Sequence, residues 1–201
     1  MNPDSIDKIR SVLDARFAAR EKGIIGSRKV IRASANGIRA LHRGEWDKAA
    51  GLIGEAGALL DEINHTSADH SEIRHAGFVS DAAKEYAEAR ITEAIFKNEL
   101  VPTFEDLGID PVPYLHGLGE AVGEMRRHML DLLRDEKITE AEETLAEMDD
   151  IVDMLAAFDY PDGMTRSLRR TTDVSRSLVE RSRSDLTVTV VQERLREDLR
   201  K

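Results

Sequence analysis

The stretch SEIRHAGFVSDAAKEYAEARITEAIFKNE, residues 71–99, reads as one long helix: alanine and charged helix formers fill it and no proline interrupts it. Projected at about 100° per residue, Val79, Ala82, Ala83 and Tyr86 share one face, and Asp81, Glu85 and Glu88 lie away from it. The apolar face seats the helix on a core. The acidic face is either solvated or has work to do.

The same pattern extends in both directions. After a segment made irregular by Pro102, Pro111 and Pro113, a helix to about Asp135 gathers Leu115, Leu118, Val122, Met125, Met129 and Leu133, and sets Glu120, Glu124 and His128 opposite. Upstream, a first helix covers Asp4 to about Arg43, either continuous or interrupted near Gly23–Gly26, with a stop at Gly44. A second runs from Trp46 to Ile63, and residues 65–69 read as a loop. Downstream, helices are expected from Thr139 to Phe158 and from Met164 toward Leu199, separated by a turn at Asp159–Gly163. Thr187-Val188-Thr189-Val190-Val191 alternates like a strand, but a lone strand has no partner here, so it is read as helix. The expectation is an all-α bundle of about six helices in a single domain, residues 1–201.

Composition narrows the function classes. The 201 residues contain no cysteine, which excludes a disulfide framework and a thiolate metal site. No apolar run approaches the roughly 18 residues that span a bilayer, and the N-terminus lacks a signal-peptide core, so a cytoplasmic protein with no membrane partner is expected. The net charge of −10 is unevenly spread: residues 1–98 are neutral, 99–162 carry −14 and 163–201 carry +4. Between Lys8 and Arg43 ten basic residues face only Asp14 and Glu21. Local basic faces of this kind suit polyanions despite the overall sign. No phosphate loop, Ser-His-Asp arrangement or dinucleotide fingerprint is present.

Two constellations carry chemistry. Glu85 with Glu88, and Glu120 with Glu124, each place two carboxylates on one helix face; if the helices are neighbours, four carboxylates converge. Clustered carboxylate oxygens bind Mg²⁺ or Mn²⁺, which can activate water against a phosphodiester. By periodicity alone, solvated acidic faces are the favoured reading, and only a polar interior or an enclosed cavity makes those faces functional. Arg28, Arg32, Arg39 and Arg43 fall within about 60° of one another beside an apolar face of Ile24, Ile31, Ala35 and Ile38. Such a stripe suits phosphates, or salt bridges to the acidic middle of the chain. Arg166, Arg169, Arg170, Arg176, Arg181 and Arg183 are open to the same two readings, and His65, His70 and His75 lack helical metal-ligand spacing. His128 reads as a surface histidine and Asp81 as solvated.

An ordered series of motifs adds to this. Arg20-Glu21-Lys22, Ser27-Arg28-Lys29-Val30-Ile31-Arg32, Ala40-Leu41-His42-Arg43-Gly44, Lys84-Glu85-Tyr86-Ala87-Glu88-Ala89, Tyr114-Leu115-His116-Gly117-Leu118, Gly123-Glu124-Met125-Arg126-Arg127 and Phe158-Asp159-Tyr160-Pro161 together resemble the translin superfamily, in an archaeal-type member, over residues 15–195. The resemblance implies an all-α, seven-helix subunit that assembles into a hollow homo-oligomer, typically an octamer, and binds single-stranded RNA or DNA inside it. Glu85 to Glu88 resembles the Glu-Tyr-x-Glu motif of the Trax branch, which supplies a metal-dependent endoribonuclease. Glu120 stands where that branch usually has aspartate, and Glu124 matches a Gly-Glu-Leu motif in which Met125 replaces leucine.

The resemblance therefore implies Glu85, Glu88, Glu120 and Glu124 as catalytic Mg²⁺ or Mn²⁺ ligands. Arg28, Lys29, Arg32, Arg39, Arg43, Arg126 and Arg127 are the candidate backbone contacts. A translin-like binding module without hydrolytic activity and a purely structural helical scaffold are the alternatives. The last helix, with Leu178, Val179, Leu186, Val190, Leu195 and Leu199, is the candidate for intersubunit packing.

Overall fold

The computed structural model describes residues 3–68 and 70–200, and among them every regular element is helical. There are eight: α1 (Pro3–Leu41), α2 (Trp46–Thr66), α3 (Ser71–Arg74), α4 (Gly77–Phe96), α5 (Pro111–Arg134), α6 (Ile138–Ala156), α7 (Asp162–Thr165) and α8 (Leu168–Leu199). None of the described helices is long and apolar enough to cross a membrane. The chain groups into two compact units, residues 1–113 and 114–201.

In the first unit α1 packs along α2 and α4. One cluster joins Val30 and Ala33 to Ala56, Leu60, Ile63, Val79, Ala82 and Ala83; another joins Ile38, Ala40 and Leu41 to Ala49, Ile53 and Ala89. Of the two readings at Gly23–Gly26 the continuous one holds, and α1 runs through both glycines. Their role is close packing: a Cβ at Gly26 would lie 2.8 Å from Ile63 Cγ1, and one at Gly37 2.6 Å from Ile53 Cγ1. Small residues here let α2 approach the α1 backbone, which outweighs the propensity cost of about 1 kcal/mol per glycine. The helix stops in the turn His42–Gly44, where Gly44 takes φ +69°.

The long helix read over residues 71–99 begins with a separate turn. α3 ends at Arg74, His75 and Ala76 intervene, and Ala76 is extended, with φ −66° and ψ 149°, before α4 starts. Near the other end of α4, Glu93 is almost fully buried and receives Arg90 Nη1 at 2.5 Å and Lys97 Nζ at 2.7 Å. A buried carboxylate needs such partners, since an unpaired charge in that position is costly.

In the second unit α6 packs on α8, and α5 is tied to α7 and α8 by side chains. His116 Nε2–H donates to the Thr165 carbonyl at 2.8 Å, and Nδ1 lies 2.8 Å from Thr171 Oγ1. Ser175 Oγ donates to the Gly119 carbonyl at 2.9 Å. The last expected helix is split at Arg166 and Ser167, which adopt left-handed φ values of 51° and 63°. Residues 187–191 are helical, as expected. Thr187 and Thr189 return their hydroxyls to the Arg183 and Asp185 carbonyls at 2.7 and 2.9 Å, which accommodates β-branched residues in a helix.

Candidate functional site

α4 owes its orientation to the face carrying Val79, Ala82, Ala83 and Tyr86, the first three buried and Tyr86 packed against both core clusters of the first unit. Glu85 and Glu88 project from the far side of the helix, as the periodicity predicts, but they are not open to solvent: both are half-buried. Thr92, one turn beyond Glu88 on the same stripe, is fully buried. Glu85 and Glu88 bring one carboxylate oxygen each to within 4.8 Å of the other. That separation allows two ligands of one hard cation, whose bonds to oxygen run about 2.0 to 2.6 Å. Lys84 Nζ stands 3.3 Å from Glu85 Oε1, so the pair already has one counter-charge.

On α5, Leu118, Val122, Met125 and Met129 are buried, and Leu115 and Leu133 half-buried. Glu120, Glu124 and His128 form the other stripe, each half-buried. All four glutamates thus occupy sheltered helix faces, with oxygen donors of the type that Mg²⁺ and Mn²⁺ prefer. Asp81 is exposed.

The basic candidates separate into groups. On α1 the buried face is centred on Val30, Gly37 and Leu41; of the expected apolar residues Ile38 is buried and Ile31 packs half-buried against the core, while Ile24 and Ala35 are half-buried. Arg28, Arg32 and Arg39 stand opposite the centre of that face and are exposed. Arg28, Lys29 and Arg32 have no ion pair among the described residues, while Arg39 donates to Asn36 Oδ1 at 2.5 Å. Arg43 extends the exposed row into the turn after α1. Lys29 leans off this row and lines a groove between α1 and α2 with Lys22.

Arg126 is engaged differently. Its guanidinium donates to Ser182 Oγ at 2.9 Å and to Asp185 Oδ2 at 2.8 Å, joining α5 to α8, whereas Arg127 is exposed. Among the C-terminal arginines, Arg176 pairs with Asp173 at 3.1 Å and Arg183 with Asp149, which favours the salt-bridge reading for both. The Arg126 partners lie 56 and 59 residues away, beyond the reach of any local pattern.

Fold and site define a helical protein with sheltered pairs of acids and an exposed row of arginines. No family model matches the chain. It is 26% identical over 200 residues, 98% of its length and 88% of the relative's, to the uncharacterized protein MJ0175 of Methanocaldococcus jannaschii. Among solved structures, AfC3PO in complex with duplex RNA superposes with a TM-score of 0.87 at 30% identity, covering 94% of this chain and 97% of that one. AfC3PO alone gives 0.86 at 29%, covering 94% and 98%. NeC3PO shares the fold, at 0.85 and 18%, again over 94% and 98%. The chain belongs to the translin family.

Proposed function

We propose that this protein is a Trax-like, Mg²⁺-dependent endoribonuclease that binds single-stranded RNA in the interior of a cytoplasmic homo-oligomer of eight subunits. The observation that carries the reading is the Glu85–Glu88 pair, two half-buried carboxylates with oxygens within 4.8 Å. In this reading Glu120 and Glu124 complete the ligand set. When bound, the metal polarises the scissile phosphate and lowers the pKa of an attacking water. Arg28, Lys29 and Arg32, with Arg39, Arg43 and Arg127, hold the backbone and give affinity without reading sequence. AfC3PO, 30% identical, has been captured with duplex RNA, which supports RNA as the ligand class and makes the duplex a second form to test.

The test is cleavage of labelled single-stranded and duplex RNA in Mg²⁺, Mn²⁺ or EDTA, beside a Glu85→Gln/Glu88→Gln variant of unchanged assembly. Metal-dependent cutting that the variant loses is the expected result. RNA bound but never cut would leave a binding module; no salt-dependent binding would leave a scaffold.

A further inference from the structure

The second unit contains a groove of about 820 Å³ between residues 155–162 and the start of α8. Its floor includes Leu155 and Thr172, 1% and 5% exposed. Phe158 and Tyr160 line it from the loop side and Arg169 and Arg176 from α8. Aromatic residues make up 4% of the chain, and those prominently exposed among the described residues are Phe17, Trp46, Phe158 and Tyr160. Two of these four, separated in the chain by Asp159 alone, line the same groove.

The charges say what kind of ligand fits. Asp173 already neutralises Arg176 at 3.1 Å, leaving the Arg169 guanidinium exposed and outside any ion pair among the described residues. Asp159 and Asp162 also line the groove, and with Asp173 they do not gather into a metal-holding trio. Three carboxylates against two guanidiniums repel a bare anion. A ligand must therefore offer a flat ring, one anionic group and hydrogen-bond donors together.

We propose that this groove is a single-nucleotide subsite. The base stacks on Tyr160 and Phe158, its phosphate meets Arg169, and its N–H donors meet Asp159 or Asp162. Stacking on exposed rings is worth about 1–3 kcal/mol per base and is available to every base; a carboxylate adds preference for an exocyclic amine such as that of cytosine. This site uses neither the α1 arginines nor the glutamate pairs, so it stands independently of the proposed nuclease activity.

The test is NMR of full-length protein carrying ring-labelled tyrosine. The three tyrosines are Tyr86, Tyr114 and Tyr160, and Tyr160→Phe assigns the third signal. Cytidine 5′-monophosphate is the probe and inorganic phosphate the control. The nucleotide is expected to shift the Tyr160 signal saturably and leave Tyr86 unmoved, whereas phosphate alone shifts nothing. Arg169→Ala, at an exposed position, should weaken binding roughly tenfold, as loss of a charge-assisted contact does. Absence of a saturable Tyr160 shift, or an equal shift with phosphate alone, overturns the proposal. Loss of RNA binding on substituting Arg28 and Arg32, measured in parallel, reports on the nuclease reading separately.

Discussion

Gly57 on α2 and Tyr86 on α4 meet so closely that a Cβ at position 57 would lie 2.8 Å from the Tyr86 hydroxyl and 3.1 Å from Cζ. The absent side chain at 57 is what lets the phenol lie across α2, and Tyr86 stands between Glu85 and Glu88 in the chain. Gly57→Ala would gain helix propensity, yet forcing the ring aside should cost more, about 1–3 kcal/mol net of overpacking. Thermal melting is expected to show a lower Tm for Gly57→Ala. Adding Tyr86→Phe, which removes the closest atom, should recover part of it.

Burial raises the Tyr86 phenol above its usual value; Arg90 opposes this and Asp61 and Glu93 reinforce it. A raised folded-state value means that the neutral form is favoured by folding. Its contribution is complete below the unfolded value near pH 10 and is lost as pH rises through the folded one. Stability measured between pH 9 and 11.5 should fall more steeply for wild type than for Tyr86→Phe. Equal slopes would mean the phenol does not couple to folding.

Glu93 holds Arg90 and Lys97 from a nearly fully buried position. Glu93→Gln keeps the shape but removes the charge both cations answer. Because Arg90 and Lys97 are themselves partly exposed, the loss should be moderate, about 1–3 kcal/mol. Denaturant unfolding is the check, and a change below about 0.5 kcal/mol would mean that Gln satisfies the same groups.

The arginines should divide by what they touch. Arg126→Ala removes bonds to Ser182 and Asp185 and should lower stability by about 1–2 kcal/mol. Arg28→Ala and Arg32→Ala should leave Tm within about 1 °C, since both side chains are exposed and outside ion pairs among the described residues. If RNA binds there, each should reduce the slope of log affinity against log salt by about 1. Filter binding over a salt series, run beside melting curves, separates the two behaviours.

Helix content was legible because it rests on composition and periodicity, and both survive packing. Val79, Ala82, Ala83, Leu118, Val122, Met125 and Met129 are buried where the projection placed them. Glycine left a choice: from the chain alone Gly23 and Gly26 fit either a break or a continuous helix, and only Ile63 and Phe78, 37 and 55 residues onward, explain why a small residue is needed inside the helix. The breaks that do occur, at His75–Ala76 and Arg166–Ser167, contain no glycine or proline and so gave no signal. At the site, the Glu85–Glu88 spacing was readable because it is set by one helix. The second life of Arg126 was not, because its partners arrive from α8.

α1 is a single uninterrupted helix of 39 residues, about 58 Å long at 1.5 Å per residue. From Val30 to Leu41 it is anchored by a buried face, whereas from Ser5 to Arg20 nearly every side chain is exposed, Ile6, Ile9, Leu13 and Phe17 included. A free helix of some 16 residues is marginal in water. Within the isolated subunit, then, this one geometrical object is two thermodynamic ones: amide protons near Ala33 open only with the core, and those near Leu13 exchange by fraying. What the inner segment lends the outer one is a template, a turn of helix already nucleated from which the next can grow.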